Sequence, residues 1–284
     1  MDRDVEPGEV VVTPAMAVQP RRLTSALEAV AFLVALLVYI WYFQARAPIT
    51  WTALLAMLVV SQLVHGESPV ALGVRWAGFG DCARRYALPV LVLGAAAIAT
   101  GDALHTLRPV PATHVMGVFV GYIWWALLQQ YLLNAFFVTR LTAAFGGRNG
   151  YLVAPLAGSF FAAAHMPNAL LVYATLLAGT LSAIVYRRHR NLLFLALAHA
   201  MLGTMIWFVV PDSISHGLRV GPGMAGHHRA AASWRRSEAG LGNDYLTVRS
   251  QPMLCGTVAN GSLVSSSRKN FSTPTCLAVR RTAL

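Results

Sequence analysis

The stretch YIWWALLQQYLLNAFFVTRL (Tyr122–Leu141) decides the fold. Its length and apolar content read as a membrane-spanning helix. Yet it carries adjacent amides, Gln129 and Gln130, and a third, Asn134, near its middle. Hydrocarbon offers no hydrogen bonds, so a buried amide costs free energy unless another protein group meets it. Such a run predicts a helix with lipid on one side and polar protein neighbours on the other.

The rest of the chain fits that reading. Of 284 residues, 56% are hydrophobic and only 12% charged, against about 25% charged in soluble domains. Apolar runs at about 24–43, 49–64, 86–103, 115–141, 151–165, 169–186 and 192–210 predict an all-α, polytopic transmembrane helical bundle of about seven spans. The first run is longer than a secretory h-region and follows a long polar leader, so it reads as a retained anchor. The organisation expected is a polar N-terminal segment at 1–23, the bundle at 24–212 with its motifs within 115–210, and a Ser-, Gly- and Arg-rich tail at 225–284. That tail has no helical or strand period and reads as a disordered basic segment.

Three cysteines without C-x-x-C spacing support neither a zinc knuckle nor a disulfide framework. The net charge of +11 is largely arginine, and no nucleic-acid-binding module accompanies it. Loop arginines fall mainly on alternate sides, with Arg140 and Arg148 counted as one loop, which predicts a cytoplasmic N-terminus. Arginine used in place of lysine suggests a bacterial inner membrane. The lipid bilayer is then the first partner, and nucleic acid is not one.

Intramembrane polar residues are costly and usually face the bundle interior. Three groups stand out. Gln130 and Asn134 are four apart and share a helix face; Gln129 lies about 100° round, and Trp125, four before it, is placed to wall the same pocket. In GSFFAAAHMPN, His165 follows Phe161 by four, Ala154, Gly158 and Ala162 form a small-residue stripe, and Pro167-Asn168 break the helix. In LALAHAMLGTM, His199 has small neighbours on its face, Ala196 and Gly203. Read singly, each group is also compatible with polar glue between helices.

These groups, in this order, resemble the CPBP family of CAAX prenyl proteases and bacteriocin-processing intramembrane proteases. Its signatures are Glu-Glu-x-x-x-Arg, Phe-x-x-x-His and His-x-x-x-Asn/Asp on separate helices. Phe161-Ala-Ala-Ala-His165 matches the second intact. His199 matches the third, but Gly203 stands where Asn or Asp is expected. Gln129 and Gln130 stand at the glutamate pair and Asn134 at the arginine. The resemblance covers about residues 64–210. It implies a helical bundle, hydrolysis of membrane or prenylated peptides, and Gln129, Gln130, His165 and His199 at the catalytic positions, with Trp125, Asn134, Phe161 and Asn168 as candidate pocket residues.

The departures bear on chemistry. An amide has no basicity comparable to a glutamate, and no Asp or Glu lies between Ala103 and Pro211. Losing a general base costs about 10²–10⁴ in rate. A catalytic zinc takes three protein ligands, and His165 and His199 supply two; His65, His105 and His114 have no indicative spacing, so no metal is expected. Three readings stay open: an intramembrane protease with a histidine base, a pseudoprotease that binds a membrane peptide, lipid or prenyl chain, and a transporter or bis-histidine haem protein.

Overall fold

The computed structural model describes residues 14–147 and 150–224. The expected tail at 225–284 and the first 13 residues of the N-terminal segment lie outside the described residues. Among the described residues the fold is all-α.

Among the described residues, five helices are long and apolar enough to cross a membrane: α1 (Arg21–Phe43), α3 (Phe79–Ala103), α4 (Ala112–Ala144), α6 (Ala169–His189) and α7 (Leu192–Val209). Two more apolar helices, α2 (Pro48–Val64) and α5 (Gly150–Ala163), are shorter. These seven apolar helices correspond to the seven apolar runs of the sequence, and five of them reach full span length. At about 1.5 Å per residue, the 14 residues of α5 reach about 21 Å, less than a hydrocarbon core of about 30 Å. The turn after α5, which carries His165, is thereby drawn into the bundle.

The helical region also starts earlier and ends later than the hydropathy implied. Helix begins at Pro14, ahead of residue 24. Beyond residue 212 the chain packs back: Asn168 donates to the carbonyls of Ser215 (2.8 Å) and Arg219 (3.2 Å), and the Gly221 amide donates to Met166 O (2.8 Å).

The exterior is apolar. Leu63, Val64 and Leu88 are each at least 70% exposed, as lipid-facing side chains should be. The interior combines aromatic packing with polar groups. Phe32 of α1 meets Phe136 of α4 with ring centroids 4.7 Å apart. Where α5 crosses α6, backbones approach closely: a Cβ on Gly158 would sit 2.9 Å from Leu176 O and would collide with Thr180. The small-residue stripe read from the sequence serves this crossing.

Arg140 is the main correction to the charge pattern. It is not a loop residue but a fully buried side chain in α4, 1% exposed. Its Nε donates to Glu28 Oε2 (2.7 Å), and its two terminal nitrogens donate to the Glu67 carboxylate (2.8 and 2.9 Å). Ser61 adds its hydroxyl and carbonyl. An arginine is admitted to this depth because two carboxylates from α1 and the α2–α3 link meet it. Sequence separations of 112 and 73 residues hid the pairing.

Candidate functional site

Helix α4 changes winding at Tyr131–Val138, where the turn is π-helical. Such stretches often occur at functional positions. Asn134 lies within it and is wholly buried. Its Nδ2 donates to Gln130 Oε1 (2.6 Å) and to Ser182 Oγ of α6 (3.0 Å). Ser182 Oγ in turn donates to Gln130 Oε1 (2.7 Å). The amide carbonyl of Gln130 is thus saturated by two donors, which turns its NH₂ toward α7. There Gln130 Nε2 lies 3.0 Å from His199 Nδ1.

This contact fixes a proton. An amide NH₂ only donates, so Nδ1 of neutral His199 carries the lone pair and Nε2 carries the hydrogen. His165 is set the opposite way. Its Nδ1 lies 2.7 Å from Phe161 O, a pure acceptor, so the hydrogen sits on Nδ1 and Nε2 is a bare lone pair. Phe161 joins the two imidazoles: its ring is 4.7 Å from His165 and 5.9 Å from His199, edge to face in both cases. Both histidines are only partly buried. The histidine pair therefore offers one accepting and one donating ring nitrogen.

Five of the sequence-derived residues come together: Gln130, Asn134, Phe161, His165 and His199. Gln129 joins indirectly. Its side chain lies near the hydroxyl of Tyr122, two turns earlier on the same face, and the Tyr122 ring lies 5.8 Å from His199. Trp125 does not wall the pocket; it is 51% exposed on the outer side of α4. Asn168 is buried but structural. Its Oδ1 caps α6 by accepting from the Leu171 amide (3.2 Å), while its NH₂ holds the 215–219 segment. It breaks the helix after His165 and contributes no group to the pair.

Tyr122 and Ser182 were missed. Ser182 is one of three Ser/Thr hydroxyls in α6, with Thr175 and Thr180, and sequence reading treats such hydroxyls as neutral in a span. Tyr122 would have needed the α4–α7 crossing. That crossing also explains Gly203: a Cβ there would sit 2.5 Å from Tyr122 Cε1. The tyrosine ring fills the space where the resembled signature has an Asn or Asp side chain.

The carboxylates lie elsewhere, with Glu28 and Glu67 engaged by Arg140. Among the described residues no three His, Cys, Asp or Glu side chains are grouped to hold a metal ion. His65 pairs with Glu28 (3.8 Å), and the His114 ring meets Trp207 at a tilt (5.8 Å). One buried acceptor in the site, Asn134 Oδ1, has no partner, nor has Thr204 Oγ1 on α7.

No protein-family model, curated protein or solved structure matches the chain.

Proposed function

We propose that this chain is an integral membrane protein on the CPBP plan whose Gln130–His199–His165 site holds a peptide segment within the bilayer without cleaving it. The observation that carries this reading is the complementary histidine pair in a site whose glutamate positions hold amides. His165 Nε2 accepts and His199 Nε2–H donates, which suits the N–H and C=O of a peptide backbone. Gln129 and Gln130 keep the pocket polar and supply no proton acceptor of useful basicity. A membrane or prenylated peptide is the ligand class this favours.

Hydrolysis is the second reading, and one observation favours it. His165 keeps its Nε2 lone pair, so it could take a proton from water as an imidazole base. Lewis-acid help would require ligands beyond the two histidines.

The localisation that goes with either reading is a bacterial inner membrane with the N-terminus cytoplasmic. The arginines at the end of the bundle where α1 begins support it.

The test is a paired binding and cleavage assay on reconstituted protein with a pool of hydrophobic and prenylated peptides. Capture without product, weakened in His165→Ala and His199→Ala, is expected. Product formed by the wild type and lost in His165→Ala would establish the protease instead. Neither capture nor product would remove both readings.

A further inference from the structure

One end of the bundle is built from the links between helices, and hydrogen bonds tie them together. Asn191, between α6 and α7, donates to the carbonyls of Arg75 (3.0 Å) and Ala77 (3.3 Å) in the α2–α3 link. The Leu192 amide donates to Gly73 O (2.9 Å), and the Tyr186 hydroxyl to Leu72 O (2.8 Å). Arg187 donates to Gly150 O at the start of α5, and the Arg22 guanidinium packs against Gly146 at the end of α4. Tyr86 of α3 meets His189 with ring centroids 5.4 Å apart.

Exposed arginines crowd this end. Arg21 and Arg22 open α1, and Arg75 lies in the α2–α3 link. Arg84 and Arg85 occupy the second turn of α3; Arg187, Arg188 and Arg190 close α6. Among the described residues the acidic groups here are engaged, Asp81 by Arg84 and Glu67 by Arg140. At the other end Arg108 pairs with Asp212 (2.5 Å).

On each helix the arginines give way within about two turns to exposed aliphatic side chains. Leu23 (62% exposed) and Leu27 (59%) follow on α1; Leu88 (70%) follows on α3; Leu181 (54%) precedes the cluster on α6. Trp76 and Tyr151 are 77% and 76% exposed at the same level. Amphipathic aromatic rings favour the headgroup boundary of a membrane. A soluble acidic partner would match the charge but not this repeated step from guanidinium to leucine.

We propose that this rim is a binding surface for anionic phospholipid headgroups, with the arginines on the phosphates and Trp76 and Tyr151 at the hydrocarbon boundary. Guanidinium groups grip phosphate oxygens in pairs, so the rim would retain anionic lipid through purification. The inference is independent of what the histidine site does.

The experiment is native mass spectrometry of the full chain in detergent with phosphatidylglycerol or phosphatidylcholine added. A triple variant, Arg75→Gln/Arg85→Gln/Arg188→Gln, leaves the tail and the internal hydrogen bonds of the rim in place. Thermal melting in detergent alone checks that it folds. The wild type should retain phosphatidylglycerol in preference to phosphatidylcholine, and the variant should lose about tenfold or more of that preference. Equal retention of the two lipids by the wild type, or an unchanged preference in a folded variant, would overturn the proposal. So would full displacement of the lipid by millimolar inorganic phosphate or by an oligonucleotide, which would assign the rim to free phosphate or to nucleic acid.

Discussion

Gln130 Nε2 lies 3.0 Å from His199 Nδ1, and this one contact sets which nitrogen of the imidazole holds its hydrogen. A glutamate at the same place would accept from Nδ1–H and leave Nε2 bare, so the amide inverts the tautomer. Gln130→Glu is expected to move the His199 hydrogen from Nε2 to Nδ1. Nitrogen-15 spectra of histidine-labelled protein read the tautomer directly, and an unchanged His199 signature would contradict the assignment. His165, held by Phe161 O, serves as the internal control.

Ser182 bridges Gln130 and Asn134 with bonds of 2.7 and 3.0 Å. Removing its hydroxyl leaves buried amide groups short of a partner. Ser182→Ala should lower stability by about 1–3 kcal/mol. A melt in detergent would show this as a clear drop in Tm, whereas Ser159→Ala, on the exposed side of α5, should be near neutral.

Gly203 is required by the Tyr122 ring. Gly203→Asn, which restores the resembled signature, should destabilise the bundle by about 1–3 kcal/mol through overpacking. The same substitution made with Tyr122→Ala should be tolerated better than the sum of the two single changes. A double-mutant cycle by thermal or denaturant melting measures that coupling, and strict additivity would refute it.

Arg140 sits between two carboxylates at 1% exposure. Arg140→Leu strands Glu28 and Glu67, and a loss of about 3–5 kcal/mol is expected. Changing all three together, with Glu28→Gln and Glu67→Gln, should recover part of it because no charge is then left unpaired. Expression level and melting temperature of the two variants make the comparison.

The sequence by itself determined the class of this protein. Long apolar runs with few charges can only be satisfied as helices in lipid, and the small residues at 154, 158 and 162 marked a close crossing. It also picked out Gln130, Asn134, Phe161, His165 and His199, because polar groups at four-residue spacing within apolar helices have few other uses. Helical spacing could not say which face meets which neighbour. Trp125 shares spacing with Gln129 yet faces outward, and Asn168 sits beside His165 yet caps α6 and ties down residues 215–219. The contacts that give the site its chemistry depend on how the helices meet: Ser182 comes from α6, and Tyr122 of α4 reaches His199 across the crossing with α7. Arg140 looked like a loop charge until Glu28 and Glu67, over 70 residues away, were seen to neutralise it. Local pattern records what a residue costs to bury; only the tertiary structure shows which distant group offsets that cost.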